Sequence, residues 1–377
     1  MNNYTKVGAI SVAATLASTT AMAEGIERFN LSTSFMFEEG TYAEASYAQV
    51  TPELPATGFN LGGGNLLDDT DVGEDFNAFG LSFKTDITDR FAVGLTYNNH
   101  LAGADIDWGP VVGIAADIQI TGLTLLGKYQ VNERVSLLGG IKRAELKEST
   151  IAVPLGVSNT ESWESSGGDD GYGYVVGAAY EIPDIALRAV LTYESEVQID
   201  PDLTETDPNS PATAAADGEA DLSVGDVWNL SFQTGVAQNT LAFANIRYSK
   251  WEDNQGFLPT AGGPAQITDF EDGYSYTLGV AQRLSDQWAV TASLFYDPGD
   301  GEDASPLSPV GATRSLTLGA RYSMPQGPEI SFGVSLSKRG DATIDLDGSG
   351  TPGDTPVDAV VEGSTVTTAG IRIGYSF

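Results

Sequence analysis

The last seven residues of the chain, IRIGYSF at positions 371–377, carry the pattern that decides the fold. Read in steps of two, Ile371, Ile373, Tyr375 and Phe377 share one side, and a charged or small residue stands between each pair. Because successive side chains of a β-strand point to opposite faces, this stretch predicts a strand with one apolar face. Such a strand, ending on an aromatic residue, is typical of bacterial outer-membrane barrels, in which the last strand pairs with the first and removes both sheet edges.

Composition narrows the choice of function. The chain has 377 residues, with 18 Lys plus Arg against 52 Asp plus Glu, which gives a formal net charge of -34. This balance argues strongly against nucleic acid as a partner, because phosphate binding needs a basic face. Cysteine is absent, which excludes disulfides and thiolate chemistry. No run reaches the roughly 18 apolar residues of a spanning helix, so a membrane protein with this sequence would be a barrel.

The start of the chain reads as an export signal. Lys6 precedes a weakly apolar stretch at 7–17, and Ala21-Met22-Ala23 has the small-x-small form of a cleavage site. We therefore predict a signal peptide at residues 1–23, followed by a non-repetitive segment at 24–40. Residues 41–377 carry the alternating pattern and are predicted to form the barrel.

Connections of two kinds alternate along residues 41–377. Short turns fall near positions 88–90, 132–134, 183–184, 238–240, 285–287 and 325–327. Long polar connections fall near 51–75, 101–113, 149–171, 200–226, 253–269, 298–311 and 340–363. Six short and seven long connections predict an all-β fold, an antiparallel transmembrane β-barrel of fourteen strands.

Side-chain parity assigns the two faces of the predicted wall. In strand three, Phe91, Val93, Leu95 and Tyr97 alternate with Ala92, Gly94, Thr96 and Asn98, and the apolar set is predicted to face lipid. Aromatic residues near the strand ends predict two girdles at the lipid–water boundaries. The predicted long-loop girdle comprises Tyr97, Tyr193, Trp228, Tyr248, Trp251, Tyr274 and Tyr296.

Basic residues fall on the opposite, lumen-facing parity. Six of them lie near the short-turn end and form a predicted lower ring, namely Lys84, Lys128, Arg188, Arg283, Arg321 and Arg372. Lys142 and Arg247 lie above it. A cation in this position avoids the cost of about 2–4 kcal/mol for facing lipid at the midplane.

Several stretches, taken in order, resemble the FadL-type family of outer-membrane hydrophobic-compound transporters. They include GIER at 25–28, FEEG at 37–40, GYVVGAAYEIPDIALR at 173–188, FQTG at 232–235 and SPLSP at 305–309. The resemblance covers nearly all of the predicted mature chain. It implies a fourteen-stranded barrel, a hatch (residues 24–40) in its lumen, and a third strand that kinks open toward the bilayer. The Asn-Pro-Ala hatch motif of many members is missing.

Ligand-binding residues are predicted on this basis. Phe29, Phe35, Met36 and Phe37 would line an inner apolar pocket, although packing the hatch against the wall explains them as well. For a fatty-acid carboxylate, Lys142 and Arg247 are the best cations, since a charged hydrogen bond stabilises by roughly 1.5–3 kcal/mol. Ion pairing with inward acids such as Glu44 is the alternative.

The hatch acids suggest a latch. Glu27, Glu38 and Glu39 are predicted to dock on the lower ring, with these partners: Arg188, Arg321 and Arg372. Such pairs are worth about 0–1 kcal/mol each when solvated, so docking could reverse.

A lateral opening is predicted at His100 and Gly103, where a bulge or bend is cheap. The start of an ordinary loop is the competing interpretation.

The predicted function is passive uptake of long-chain fatty acids or other hydrophobic molecules across the outer membrane. The alternatives are a general porin for polar solutes and a structural or adhesive barrel. An enzyme is disfavoured, because His100 lacks a nucleophile motif and is interpreted as a surface residue. We expect no cofactor or metal, a monomer, contacts with lipopolysaccharide, and recognition of Phe377 by the barrel assembly machinery.

Overall fold

The computed structural model describes residues 26–28, 30–60, 65–154, 160–206, 217–260, 263–268, 270–299, 304–344 and 358–377. Within these residues, fourteen antiparallel strands close into a barrel, as predicted. The wall strands are β1 (Tyr42–Glu53), β2 (Phe76–Thr88), β3 (Phe91–Asp107), β4 (Ala115–Gln130), β5 (Val135–Leu146), β6 (Asp170–Ile182), β7 (Leu187–Glu194), β8 (Val227–Ala237), β9 (Thr240–Ser249), β10 (Gly273–Arg283), β11 (Trp288–Asp297), β12 (Thr313–Ser323), β13 (Glu329–Arg339) and β14 (Thr365–Ser376). The predicted signal peptide and Phe29 lie outside the described residues.

The C-terminal strand closes the wall. β14 pairs antiparallel with β1, from Tyr42 opposite Ser376 to Glu53 opposite Thr365. The short turns lie where the sequence predicts them. One boundary differs, because β3 continues to Asp107 and the connection to β4 contains only a single helical turn, α1 (Gly109–Val112). Polar residues at 98–100 resemble a strand end in sequence, but the backbone continues past them.

The parity assignment of the wall is confirmed. In β3 the outward residues Phe91 and Leu95 are 39% and 42% exposed, whereas the alternating Ala92 is 2% exposed. The prediction that Trp251 belongs to the long-loop girdle is wrong. Its side chain is 1% exposed and packs against Phe270, with 5.5 Å between ring centroids, because the chain turns inward after β9.

The long connections form a layer over one end of the barrel. Short strands within it lie at Pro55–Asn60, Asn65–Asp71, Ser149–Pro154, Thr160–Ser165, Val197–Ile199, Asp202–Glu205, Gly218–Glu219, Leu222–Val224, Phe257–Leu258, Ala265–Gln266, Ala342–Ile344 and Ala359–Val361. Their apolar residues make one buried cluster that includes Trp108, Trp163 and Trp251. Two 3₁₀ turns, at Ser34–Phe37 in the hatch and Pro183–Ile185 between β6 and β7, complete the described elements. The described residues include no helix that is long and apolar enough to cross a membrane.

A charge on the outer face should weaken this wall. Leu294 in β11 is 60% exposed and lies between Leu278 and Leu316 of the neighbouring strands, which are 64% and 45% exposed. Leu294→Arg is expected to lower the free energy of unfolding in lipid vesicles by about 2–4 kcal/mol, because the guanidinium would face hydrocarbon. Leu294→Met, uncharged and of similar length, is the control. Equal stability of the two variants in denaturant titrations would contradict the assigned orientation.

Candidate functional site: the hatch and a window in the wall

The backbone ladder between β2 and β3 is interrupted. Regular pairing ends where Gly80 lies opposite Asn98, and an isolated pairing of Gly73 with Ile106 follows higher up. Between these points, residues 75–79 and 99–104 form a gap in the described pairing, here called the window. β3 also shifts register against β4 between Asn98 and Ala102. The predicted opening at His100 and Gly103 falls inside this window.

Hatch residues 26–28 occupy the edge of β3 that β2 leaves free. Glu27 forms an antiparallel bridge with Ala102. The Arg28 amide donates to the Leu101 carbonyl at 3.0 Å, and the Gly103 amide donates to the Ile26 carbonyl at 2.8 Å. The start of the hatch therefore completes the sheet from inside the barrel.

A glycine is required at position 103, where the backbone of β3 comes close to the backbone of β4. The Gly103 φ of +158° is a backbone conformation that residues with a side chain rarely adopt. A Cβ at this position would collide with the carbonyl oxygen of Ile118 on β4. The glycine lets two backbones come together where β3 bends, which is a common use of glycine within strands.

Arg28 spans the inner side of the window. Its Nε donates to the Gly103 carbonyl at 2.8 Å, and its Nη1 lies 2.5 Å from the Asp105 carboxylate. The guanidinium also lies 4.0 Å from the centroid of the Phe76 ring on β2. His100 packs against Phe76, with ring centroids 5.0 Å apart, and is 5% exposed. The interpretation of His100 as a surface residue is thus wrong, because its side chain is buried beside Phe76 and Asp105.

A cavity of about 30 Å³ lies directly inside the window. By volume it could hold only one or two water molecules. Its lining is apolar with a few charges, and comprises Arg28, Pro52, Leu54, Glu74, Phe76, Gly103, Asp105, Ile106, 307–310 and Arg339. The cavity joins the hatch, the bent strand and the connection between β11 and β12.

The two upper lumen cations each lie against a carboxylate. Lys142 Nζ lies 3.2 Å from Glu194 Oε2, and both side chains are 3% exposed. Arg247 forms an ion pair with Glu27 of the hatch, with the side chains 1% and 4% exposed. Both cations face the lumen as expected from parity, but their partners are not Glu44. Their role as a carboxylate clamp stays a prediction.

Phe35 and Met36 fill the lower part of the lumen. They are 1% and 0% exposed and pack in one cluster, here called the plug cluster, with Tyr42, Ala92, Leu126, Leu138, Val175, Ala179 and Val190. Gly94 of β3 makes room for them, because a Cβ there would lie 2.6 Å from the Phe35 ring and collide with the Met36 sulfur. Phe37 lies between two cations, 4.5 Å from Lys128 Nζ and 4.3 Å from the Arg188 guanidinium.

The three predicted latch cations are paired with acids of the wall. Arg188 pairs with Glu181 at 2.8 Å, Arg321 with Glu329 at 3.3 Å, and Arg372 with Glu44 at 3.7 Å. Apart from Phe37, the hatch contacts the lower ring here through its backbone. Lys84 Nζ donates to the carbonyls of Glu38 at 2.7 Å and Gly40 at 2.8 Å. Glu39 is exposed, and Glu27 lies at Arg247. The latch stays a prediction.

Burial raises the pKa of Glu38 to about 7, and the nearby Glu329 carboxylate adds to the effect. Arg188 and Arg372 oppose the shift, and Glu44 reinforces it. The docked hatch therefore favours a protonated Glu38. A carboxyl with a raised pKa in the docked state contributes stability at low pH that is lost as pH rises through about 7.

The sequence alone indicates no role for four residues at the site: Asn99, Asp105, Arg28 and Glu194. Arg28 lies in the GIER stretch, but its partner Asp105 lies 77 positions further along the chain. Asn99 resembled part of a polar strand end. Its side chain bonds to β2 just beyond the last regular pair, Gly80 with Asn98, and the sequence contains no signal for the end of that ladder.

Crowding at Gly94 should dislodge the plug. Gly94→Ala is expected to weaken hatch docking by about 1–3 kcal/mol, because the added methyl group overpacks Phe35 and Met36. Gly139→Ala is the control, since its Cβ would meet only one atom, at 4.0 Å. A nitroxide label on Glu39→Cys, in a chain with no other cysteine, reports hatch mobility. Unchanged mobility in Gly94→Ala would show that the plug cluster does not hold the hatch.

Hatch docking should depend on pH through Glu38. Between about pH 5.5 and about pH 8.5, the same nitroxide label is expected to become more mobile, because deprotonation leaves a buried charge. Glu38→Gln should remove most of this change and stay docked at the higher pH. If the pH response persisted in Glu38→Gln, another group would be responsible.

Comparison with solved structures supports the assignment of the fold as a fourteen-stranded barrel. The chain is similar in fold to a Pseudomonas aeruginosa FadL homologue, with a TM-score of 0.71, 17% identity, and coverage of 96% of this chain and 98% of that one. It is also similar to the Pseudomonas putida toluene transporter TodX, with a TM-score of 0.64, 12% identity, and coverage of 90% and 91%. For the Ralstonia pickettii toluene transporter TbuX the TM-score is 0.63, at 12% identity and coverage of 100% and 99%.

No curated protein sequence matches the chain. A family sequence profile, described as outer membrane protein transport protein (OMPP1/FadL/TodX), matches residues 14–377. The resemblance noted from the sequence is thereby confirmed. The chain belongs to this family and is an outer-membrane β-barrel of Gram-negative bacteria.

Proposed function

We propose that the chain passes hydrophobic molecules inward by passive diffusion, with the hatch as gate and the window as lateral exit to the bilayer. The observation that carries this proposal is the double role of residues 26–28. They lie in the lumen, and they also complete the edge of β3 where β2 departs. A displacement of this one segment would open the lumen and uncover the window together.

The contacts that hold the hatch to the wall can be broken and re-formed. Two backbone hydrogen bonds hold residues 26–28 to β3, and each contributes about 0.5–1.5 kcal/mol net. The plug cluster contributes two large buried side chains, Phe35 and Met36. A hydrophobic molecule that enters the lumen can replace the apolar contacts of these side chains, so it can compete with the plug for the same wall.

For the cargo, we propose long-chain fatty acids first. A fatty-acid carboxylate can take the place of the Glu27 carboxylate at Arg247, whose Nε and Nη1 donate to no atom of the described residues. Binding of the head group would then release Glu27, and with it the hatch.

Neutral hydrocarbons are the second candidate. Lys142, Arg247 and Arg28 already have carboxylate partners, namely Glu194, Glu27 and Asp105. A lumen whose charges are compensated internally suits uncharged molecules, which need no ion-pair exchange. A general porin is disfavoured because the plug cluster fills the described lower lumen with buried apolar side chains.

The C-terminus suggests two further partners. Phe377 is 76% exposed, its ring packs edge-on against Tyr375 at 4.8 Å, and its amide donates to the Thr41 carbonyl at 2.9 Å. We propose that the barrel assembly machinery recognises this aromatic end during insertion. Lipopolysaccharide would surround the end that carries the loop layer.

Uptake of radiolabelled oleate and toluene tests the function and separates the two cargoes. Cells of a Gram-negative host that lacks its own transporter of this family would express the wild type, Glu27→Gln, or Glu27→Gln with Arg247→Met. Glu27→Gln is expected to raise the maximal rate for both compounds, since the hatch loses an ion pair. It should lower the apparent KM about tenfold for oleate alone, because the freed Arg247 binds carboxylate.

The double variant is the control, and it should return the KM for oleate to the wild-type value. Equal changes for oleate and toluene in Glu27→Gln would exclude Arg247 as a carboxylate site and favour neutral cargo. Uptake of both compounds at the level of cells without the barrel would contradict the transport function itself. Steady ion conductance of the wild type in planar bilayers would favour the porin.

A further inference from the structure

Asn99 lies at the point where β3 separates from β2. Its side chain points to the outer face of the wall, on the parity of Tyr97, and is only partly exposed. Below it, the outward residues of β3 are apolar or aromatic. A polar side chain at the upper border of such a surface has to find hydrogen-bond partners, because lipid supplies none.

The Asn99 side chain bonds across the window to the backbone of β2. Its Oδ1 accepts from the Phe79 amide at 2.5 Å, and its Nδ2 donates to the Asn77 carbonyl at 3.3 Å. These two β2 groups face β3 where the regular ladder has already ended. The carboxamide thus supplies one acceptor and one donor, as a backbone peptide group of β3 would.

The backbone of Asn99 is engaged on the other side. Its carbonyl accepts from Gln119 Nε2 of β4 at 2.8 Å. β3 therefore leans toward β4 at this level, in line with the register shift between Asn98 and Ala102. The side chain, not the backbone, is what still links β3 to β2 here.

We propose that Asn99 is a side-chain clasp that holds the window shut in the resting barrel and sets how readily hydrophobic cargo leaves sideways. This inference rests on the lateral exit of the proposed function. The clasp closes the outer side of the window, while Arg28 spans the inner side through Gly103, Asp105 and Phe76. Asn99 touches no cargo in this arrangement and acts by positioning β2 against β3.

The clasp can be opened without changing the size of the side chain. Asn99→Leu keeps the volume but removes both hydrogen bonds to β2. Asn77→Leu is the matched control, since it removes a neighbouring outward carboxamide, which accepts from the Tyr47 hydroxyl at 2.6 Å. The Asn77 backbone carbonyl, and with it the clasp, remains.

The clasp can also be closed covalently. Phe79 and Asn99 would be the next opposed pair if the ladder continued beyond Gly80 and Asn98. The chain has no cysteine, so Phe79→Cys with Asn99→Cys introduces a single possible disulfide. Copper–phenanthroline forms the bond and dithiothreitol reverses it, which gives the same protein in a locked and an unlocked state.

Two readouts test the proposal in the folded, membrane-inserted protein. Hydrogen exchange of the backbone at 76–80 should accelerate about fivefold or more in Asn99→Leu and stay unchanged in Asn77→Leu, because the Phe79 amide loses its acceptor. Uptake of radiolabelled oleate by cells should rise at least twofold in Asn99→Leu. The oxidised double-cysteine barrel should lose uptake, and dithiothreitol should restore it.

The outcomes separate the clasp from the lateral exit. If the locked barrel loses uptake but Asn99→Leu matches Asn77→Leu in both readouts, the exit is lateral and the clasp is overturned. If the locked barrel takes up oleate like the wild type, cargo leaves along the barrel axis, and the clasp is overturned together with the lateral exit. Faster exchange and faster uptake in Asn99→Leu, with reversible loss in the locked barrel, support the clasp.

Discussion

Every feature of this barrel depends on one constraint, that backbone N–H and C=O groups facing lipid need partners within the protein. Thirteen neighbour pairings and the closing pair of β1 with β14 meet this need around the wall. The window between β2 and β3 is the exception. There the backbone of β3 finds its partners in hatch residues 26–28, and the backbone of β2 finds its partner in the Asn99 carboxamide. At this place the barrel is closed by the hatch segment and by one side chain rather than by a continuous backbone ladder.

Charge is distributed to fit this arrangement. The outer face carries apolar residues, and in the lumen Lys142, Arg247 and Arg28 are each matched by an acid of the wall or the hatch. Because these pairs are buried, removing one partner leaves a charge that costs about 3–5 kcal/mol. Glu27 and Arg28 stand next to each other on an extended segment, so their side chains point in opposite directions. One reaches Arg247 on β9, and the other reaches Asp105 on β3.

The sequence is sufficient to predict the strands of the wall but not the contacts at the window. Period-two alternation, turn positions and the aromatic terminus predict strand number, facing and closure, since each depends on local residue order. The prediction that Trp251 belongs to the girdle was wrong because the sequence does not show where β9 ends, and an aromatic residue just beyond a strand resembles one within it. The pairings of Lys142 with Glu194 and of Arg28 with Asp105 depend on strand register, which the sequence does not encode locally. Asn99 could not be distinguished from a loop start for the same reason.

In the proposed mechanism, the two opposed ion pairs of Glu27 and Arg28 keep the hatch closed without cargo. Withdrawal of residues 26–28 would leave the Arg247 guanidinium and the Asp105 carboxylate without their partners in a buried region, at a cost greater than that of the backbone hydrogen bonds at Leu101 and Gly103. An incoming carboxylate satisfies Arg247 but not Asp105. A neutral molecule satisfies neither, so water must enter with it and solvate both groups. The proposed mechanism therefore ties opening to what fills the lumen, and the size of that coupling depends on the charge of the cargo.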